Sequence, residues 1–480
     1  MNTFLHNLTN YNNLKTTENG ALAYSTTNSA LYDLFAFGGA YRERSSDDTI
    51  QLFKAAFEEN PSLALKCLFY LRDVRGGQGE RKFFRICFNW LANTYPLMAK
   101  KNLINVSEYG RWDDLIYSTL DSPIFKDTIE IISAQLKEDE KTDMPSLLGK
   151  WLPSENASSQ KTKNAARIVC TALKLSPREY RKKLSALRTK INVLEKLMSE
   201  NRWEEIEFDH IPSKAGLLYK EAFLRKESIC AQYAAFIKDK HSKVNASTLY
   251  PYEIIEKALA FGKTSRAILE KYWNCLPDYF GEKECNMICV VDTSGSMHGR
   301  PITVAASLGI YCAERNRGEF KDYYISFSSK PQLTKVEGTD IVDKARRIWS
   351  TNICENTNLE AVFDLLLETA KRSKKEDIPE IVTIISDMEI DRCVSTKAAS
   401  TIETAMAEIR KKWDTEGIKM PRLIFWNVNA RNNTILDKSE NVSFVSGCSP
   451  VIFEQVMSGK TGMQLMLDKI TSERYDKVHI

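Results

Sequence analysis

The sequence lacks the clustered cysteines and histidines that form structural zinc sites. Its 480 residues include five histidines, which are far apart, and eleven cysteines, which are scattered without a CxxC pair. The two nearest cysteines are Cys285 and Cys289. An odd number of dispersed cysteines is typical of reduced thiols. We therefore expect reduced cysteines and no structural zinc.

The sequence also lacks an apolar run of the about 20 residues that a membrane-spanning helix needs. Its first residues, MNTFLHNLTNYNNLKTTENG, contain no basic segment followed by an apolar one, so we expect no secretory signal. These absences predict a cytoplasmic protein without a membrane partner. The net charge of +4 is too small to indicate nucleic acid by itself.

Two parts of the chain differ in their hydrophobic pattern. Up to about residue 280, apolar residues recur at three- and four-residue spacing without a β-alternating segment, which predicts an all-α array of helix pairs. From about Asn286, short apolar runs alternate with helical segments, which predicts a doubly wound, mostly parallel sheet. We predict an α-helical repeat domain at 1–283 and an α/β domain at 284–480.

The predicted strands of the α/β domain end in polar residues. The strand segments are MICVV, DYYISFS, EIVTIIS, RLIFWNV and VSFVSG. Asp292 follows the first of them, and Asp387 follows the third. Ligands of doubly wound sheets bind outside the carboxyl ends of the strands, so both acids are candidate site residues.

The stretch VVDTSGSMHG, Val290–Gly299, places two serines after Asp292 in the pattern Asp-x-Ser-x-Ser. Together with Thr357 and Asp387, this pattern resembles the metal-ion-dependent adhesion site of the von Willebrand factor A domain. The resemblance implies that Asp292, Ser294, Ser296, Thr357 and Asp387 bind Mg²⁺ or another divalent cation. It also implies an open position for a carboxylate, and hence an acidic protein partner.

The chemistry of this predicted site is self-consistent. Mg²⁺ prefers six oxygen ligands and keeps some of its waters. The hydroxyls of Ser294, Ser296 and Thr357 can ligate the ion directly, while the two aspartates hold coordinated waters. Alternatives remain: a turn or cap for an isolated Asp-x-Ser-x-Ser, and an N-cap role for Thr357 with Glu360 completing a capping box.

Two stretches of the helical part carry a second resemblance. YLRDVRGGQGERKFFR (Tyr70–Arg85) and EYGRWDDLIY (Glu108–Tyr117) resemble the TROVE domain of the Ro autoantigen family. The resemblance implies a ring of HEAT-like helical hairpins that a von Willebrand A domain closes. It also implies that the protein binds small or misfolded RNA, as a structured RNA on the ring or a single-stranded end in its hole.

A basic segment supports this implication independently. Residues 161–190 contain ten Lys or Arg and one acid, Glu179. Ser176 and Glu179 form a capping box with Pro177 at the first helical position, which predicts a helix from about Pro177 to Met198. A one-sided cationic helix is a typical phosphate-binding surface. The residues that we predict to contact RNA here are Lys161, Lys163, Arg178, Arg181, Lys182 and Arg188. The alternative is a solvated helix whose charges pair with acids such as Glu204, Glu205 and Glu207.

The arginines of the two TROVE-like stretches have two interpretations. Either they contact RNA, or Arg72–Asp73 and Arg111–Asp113 are ion pairs that brace the turns. The arginines concerned are Arg72, Arg75, Arg81 and Arg111.

We predict a binding protein and not an enzyme. The serine stretch is not G-x-S-x-G and has no histidine placed as its base. Metal-dependent nucleases use several direct carboxylates or two ions, whereas this site offers mainly hydroxyls. Two function classes remain: an RNA-binding ribonucleoprotein component, and a metal-dependent protein-interaction scaffold in which the basic helix is incidental.

Overall fold

The computed structural model describes residues 13–260, 265–282, 286–327, 330–351, 356–391 and 404–480. Contacts divide the chain into two compact units, Met1–Ala64 with Leu249–Ile470, and Leu65–Thr248 with Thr471–Ile480. The first is the α/β unit and the second is the helical unit. This division differs from a single boundary between 283 and 284. The α/β unit includes the first 64 residues and Leu249–Ile470, and the last ten residues belong to the helical unit. The predicted boundary between sequence domains at 283 and 284 is not tested by this division and stays a prediction.

Helices follow a short hairpin over the first 282 residues. The hairpin strands are β1 (Leu14–Thr16) and β2 (Leu22–Tyr24). The helices are α1 (Ala30–Gly38), α2 (Ser46–Glu59), α3 (Pro61–Arg72), α4 (Arg81–Thr94), α5 (Pro96–Lys101), α6 (Leu103–Tyr109), α7 (Trp112–Thr119), α8 (Phe125–Lys141), α9 (Leu148–Trp151), α10 (Gln160–Ala172), α11 (Pro177–Lys190), α12 (Leu194–Ser199), α13 (Ser213–Arg225), α14 (Glu227–Lys238), α15 (Pro251–Leu259) and α16 (Arg266–Asn274).

Strands and helices alternate in the remainder of the chain. The strands are β3 (Met287–Asp292), β4 (Tyr323–Phe327), β5 (Leu333–Lys335), β6 (Ile381–Ser386), β7 (Arg422–Asn427) and β8 (Val442–Ser446). The helices are α17 (Arg300–Arg315), α18 (Ile341–Thr351), α19 (Leu359–Ala370), α20 (Ala405–Thr415), α21 (Ile452–Val456) and α22 (Gly462–Ile470). The fold class is therefore confirmed: a helical array precedes a mostly parallel α/β sheet.

The six-stranded sheet has the order β5-β4-β3-β6-β7-β8. All neighbouring pairs are parallel except β4 with β5. Every residue of β3 and β6 is buried, which explains their continuous apolar sequences. The chain continues from β3 to β4 on one side and later to β6 on the other. The carboxyl ends of β3 and β6 thus form the topological switch point, where ligands of such sheets bind.

The hairpin at residues 14–24 contradicts the prediction that no strand interrupts the helical part. Its strands have three residues each, too few for an alternating pattern to be recognised. Gly20 supplies the positive φ of 86° in the turn. Tertiary bonds hold β2, because the backbone N–H and C=O groups of Tyr24 and Ile435 exchange two hydrogen bonds of 2.8 and 2.9 Å.

The helix predicted from Pro177 to Met198 is in fact two helices. Its N-terminus is confirmed, with the capping box of Ser176 and Glu179 and proline at the first turn. It ends at Lys190 because Asn192 takes a positive φ of 53°, and α12 begins at Leu194. Asparagine tolerates this conformation better than most residues, so it ends the helix although the apolar spacing continues.

The last ten residues of the chain belong to the helical unit. Tyr475 is buried, and its hydroxyl donates to a carboxylate oxygen of Asp73 at 3.0 Å. The Arg474 guanidinium donates to the other oxygen of Asp73 at 2.8 Å. Asn105 donates to the backbone carbonyl of Lys477 at 2.7 Å. This segment therefore packs as an integral part of the array.

Acid should weaken this packing through Asp73. Burial raises the pKa of Asp73, but hydrogen bonds from Arg474 and from the backbone of Arg75 outweigh it and hold the pKa below the ordinary 3.8. A depressed carboxyl pKa stabilises the fold fully above the ordinary value, and the contribution is lost as the pH falls through the lower value of the folded state. We expect the melting temperature of the wild type to fall more steeply below about pH 4 than that of Asp73→Asn. Parallel curves in thermal melts across this range would contradict the assignment.

Candidate metal centre and basic surface

The structure brings four of the five predicted metal residues to the switch point of the sheet. Asp292 ends β3, and its Oδ1 accepts the backbone N–H of Ser294 at 2.9 Å. The hydroxyls of Ser294 and Ser296 lie 3.0 Å apart. Asp387 directly follows β6, the strand beside β3. These positions are the ones that the parallel sheet predicts.

Thr357, the fifth residue, lies in the chain segment before α19 and bonds to Asp391 in the loop after β6. Its backbone N–H donates to Asp391 Oδ2 at 2.8 Å, and its carbonyl accepts the N–H of Asp391 at 2.9 Å. Asn358, and not Thr357, caps α19, because its side chain accepts from Ala361 at 2.9 Å. The N-cap interpretation of Thr357 is therefore wrong, and a capping role does not occupy its hydroxyl.

The electrostatics of the strand ends favour a cation. Asp292 and Asp387 have no solvent exposure. Burial and the neighbouring charge of Asp387 raise the pKa of Asp292 to about 6, although Ser386 donates a hydrogen bond of 2.5 Å to it. Two buried carboxylates that repel each other are stabilised by a positive charge between or beside them.

The donor set fits a hard cation that keeps some waters. Within the described ranges, no group of three or more His, Cys, Asp or Glu side chains is arranged to hold a metal. The predicted site differs from such groups because three of its five side chains are hydroxyls. Hydroxyl ligands with outer carboxylates suit Mg²⁺ and not Zn²⁺. The ion itself stays a prediction.

Arg431 is a site residue that the sequence did not indicate. It lies in the loop after β7, and its Nη2 donates to Asp387 Oδ2 at 3.0 Å. Its Nη1 lies 2.8 Å from Glu18 Oε2, so one guanidinium joins two carboxylates. No motif marks this arginine, and only the order of the strands brings the loop to the site.

Glu389 and Asp391, in the loop after β6, are bonded within the fold and are not simply solvated loop acids. Glu389 has no solvent exposure, and its carboxylate accepts the backbone N–H of Glu18 at 2.7 Å and the amide of Asn432 at 3.1 Å. Asp391 holds Thr357, as described above. Asp391 therefore positions Thr357, and Glu389 joins the loop after β6 to Glu18 and Asn432.

The basic segment forms α10 and α11 in the helical unit. Six of its cations have no acidic partner within the described residues, and five of them are exposed while Lys163 is half-buried. These six are Lys161, Lys163, Arg167, Lys174, Arg178 and Lys182. Lys161 also lies over the ring of Tyr117, 5.7 Å from its centroid. We call this set the α10–α11 surface.

Other cations of the segment are engaged. Arg181 pairs with Glu155 at 2.9 Å, and Lys183 pairs with Glu140. Arg188 donates to the backbone carbonyls of Gly149 and Leu152 at 2.9 and 3.1 Å.

Arg181 and Arg188 therefore differ in how much of the side chain remains available for contact with RNA. Arg188 uses its hydrogen bonds to hold the C-terminal end of α9. It is therefore not the free phosphate ligand that the sequence predicted. Arg181 keeps half of its side chain exposed.

Two of the three acids named in the alternative interpretation pair elsewhere. Glu205 pairs with Arg202 at 2.5 Å, and Glu207 contacts His210 at 2.5 Å. They do not neutralise α11. A surplus of positive charge therefore remains on the α10–α11 surface.

The two TROVE-like stretches meet in one buried ion network. Arg72 is only 2% exposed and donates to Asp114 at 2.5 and 2.8 Å. Arg85 donates to the other oxygen of Asp114 at 2.6 Å. Burial excludes Arg72 from the RNA contact that we predicted, and its partner is Asp114 and not Asp73.

The remaining arginines of these stretches lie nearer the surface. The predicted pair of Arg111 with Asp113 is confirmed, with Nε donating at 2.8 Å. Arg111 also stacks on Trp151, 3.8 Å from the ring centroid. Arg75 and Arg81 are exposed, as RNA contact requires. Trp151, Arg181 and Arg188 line a cavity of about 690 Å³ beside α11.

No described helix is both long and apolar enough to cross a membrane.

Family models match both parts of the sequence. The family model described as a domain of unknown function (DUF2828) matches residues 17–170 and 155–276, and a second (DUF7788) matches 286–477. Uncharacterized protein L728 of Acanthamoeba polyphaga mimivirus is 28% identical over 93% of this chain and 85% of its own length.

A solved structure has a similar fold. The Ro (RSR) protein of Deinococcus radiodurans matches 93% of this chain and all of its own chain, with a TM-score of 0.51 and 12% identity. The Ro-like order of a helical array followed by an α/β domain is thereby confirmed. At this identity, the similarity concerns the fold alone.

Proposed function

This chain belongs to the family described as a domain of unknown function (DUF2828), and from that premise and its fold we propose that it is an RNA-binding ribonucleoprotein component of the Ro type. The observation that carries the proposal is the α10–α11 surface, with six cations that no described acid neutralises. Phosphates bind such surfaces with a free energy that comes largely from counterion release. The Ro-like fold supports RNA as the polyanion.

The exposed arginines of the TROVE-like stretches extend the proposed surface. Arg75 and Arg81 provide two more cations, and Arg111 stacks on the indole of Trp151. Aromatic rings beside cations are typical of surfaces that bind unpaired bases. A small RNA with a duplex part and a single-stranded end is therefore the proposed ligand class.

Binding of a labelled stem-loop RNA with a single-stranded tail tests this proposal. Fluorescence anisotropy should show affinity falling on the order of 100-fold between about 0.05 and 0.2 M salt, as expected for about four phosphate contacts. An affinity that does not depend on salt, or no binding at the lower salt concentration, would contradict the proposal.

We further propose that the α/β unit binds Mg²⁺ through Asp292, Ser294, Ser296, Thr357 and Asp387. When bound, the ion supplies positive charge that neutralises the two buried aspartates. The role proposed is binding and not catalysis, because the donors are mainly hydroxyls and no base is placed against a serine. An acidic protein partner is less well supported, since Glu18, Glu389 and Asp391 already make this edge negative.

Asp292→Ala separates the two proposed activities. Titration calorimetry should show Mg²⁺ affinity weakened on the order of 100-fold, because the aspartate holds the ion's waters and the hydroxyl loop. RNA affinity in the anisotropy assay should remain within about twofold of wild type, since the cations that carry it are in the other unit. Unchanged Mg²⁺ affinity would remove the metal centre from the account.

A further inference from the structure

The N-terminal hairpin covers the loop that follows β6. The hydroxyl of Thr17 donates to the carbonyl of Ile390 at 2.7 Å, and the side chain of Asn19 donates to the carbonyl of Glu389 at 2.7 Å. Gly20 and Asp391 form an antiparallel bridge. Together with the backbone N–H of Glu18, which donates to the Glu389 carboxylate at 2.7 Å, these contacts fix the hairpin on the loop that carries Asp387.

This attachment brings one acidic side chain to the arginine that contacts Asp387. Glu18 occupies the middle of the turn, with 47% of its side chain exposed. Its carboxylate contacts Arg431 at 2.8 Å and accepts from Asn432 at 3.1 Å. Arg431 also holds Asp387 at 3.0 Å. The two terminal nitrogens of one guanidinium therefore contact Glu18 and Asp387, the proposed metal-shell aspartate.

The negative charge at this edge of the sheet bears on why Glu18 lies here. Asp292, Asp387 and Glu389 are buried acids of the same edge. A further carboxylate would normally be disfavoured there by like-charge repulsion. Placing Glu18 at this edge is therefore unfavourable for the hairpin unless a cation compensates the repulsion between the carboxylates. Arg431 and Lys15, which interacts electrostatically with Glu389 and Glu18, provide part of that charge, and a divalent ion would provide the remainder.

We propose that Glu18 belongs to the metal centre and supplies it with a carboxylate, so that the ion ties the N-terminal hairpin to the sheet. The inference rests on the proposed Mg²⁺ site and adds a residue about 270 positions from the Asp-x-Ser-x-Ser loop. Arg431 and Asn432 are positioning residues that hold Glu18 in reach. The site is then an internal connection of the α/β unit, completed by its own chain.

Mg²⁺ titration of Glu18→Gln tests the inference in the full-length protein. The variant removes the charge and keeps the size, and we expect about 10-fold weaker Mg²⁺ binding, the effect usual for residues that support a metal's ligands. Hydrogen exchange should show that Mg²⁺ protects residues 14–24 in the wild type but not in the variant. Acetate should partly restore Mg²⁺ affinity to Glu18→Ala and leave the wild type unchanged.

Glu43→Gln is the matched control, an exposed glutamate of the same unit whose substitution should change neither readout. Mg²⁺ affinity and hairpin protection equal to wild type in Glu18→Gln, together with loss of binding in Asp292→Ala, would overturn the role of Glu18 and leave the metal centre standing. Absence of Mg²⁺ binding in the wild type would instead refute the metal centre, and with it this inference.

Discussion

Asp114→Asn should lower the free energy of unfolding of the helical unit by about 3–5 kcal/mol, the cost of leaving a buried ion without its partner. Asp114 has no solvent exposure and accepts from both Arg72 and Arg85. Its carboxylate also accepts the backbone N–H of Arg111 at 3.0 Å, which caps α7. The substitution therefore leaves the guanidinium of Arg72 charged and buried.

Urea denaturation of the full-length protein, with hydrogen exchange of α3 and α7 to locate the change, measures this effect. Asp121→Asn is a control of the same chemistry, because Asp121 is exposed and should change stability by less than about 0.5 kcal/mol. An Asp114→Asn variant as stable as the control would show that the network is not a structural element.

Reversing two charges of the α10–α11 surface should weaken RNA binding by about 10- to 100-fold, because two phosphate contacts are lost and the new acids repel phosphate. Each lost contact should also reduce the slope of log affinity against log salt concentration by about one. Arg178 and Lys182 are suitable because both are exposed on α11 and lack an acidic partner among the described residues. The double variant Arg178→Glu with Lys182→Glu should fold normally, since neither side chain packs in the core.

The acidic helix α8 offers a control with the same change in net charge. Lys126→Glu with Lys137→Glu alters two exposed lysines of the same unit, outside the proposed surface. Anisotropy with the stem-loop RNA should show near wild-type affinity for this control. Equal losses in both double variants would mean that net charge, and not this surface, determines binding.

Much of the α/β fold could be predicted because its strands are buried on both faces. Such strands are continuous apolar runs with distinct ends, and β3 and β6 place Asp292 and Asp387 side by side by sheet topology alone. The edge strand β5 was missed because it has three residues and no apolar run. The end of the basic helix before Asn192 could not be predicted, because the apolar spacing continues past the one residue with a left-handed backbone conformation.

The supporting residues of the sites could not be predicted because they are distant in sequence. Glu18 and Arg431 meet at 2.8 Å across about 400 residues, and neither belongs to a recognisable pattern. Local charge pairing predicted Arg72 with Asp73, but helix geometry directs Arg72 to Asp114. Asp73 instead holds Arg474, near the end of the chain. Adjacent opposite charges therefore do not identify the pairs of a folded array.

The central claim is that this Ro-like chain binds RNA through α10 and α11. The most direct measurement is to purify the full-length protein from a bacterial cytoplasm at about 0.15 M salt, where phosphate contacts persist, and to sequence the RNA that remains bound. The account predicts a discrete set of small RNAs with the wild type and with the Lys126/Lys137 control, and their loss with the Arg178/Lys182 variant. A wild-type preparation free of nucleic acid that binds no added RNA would contradict it.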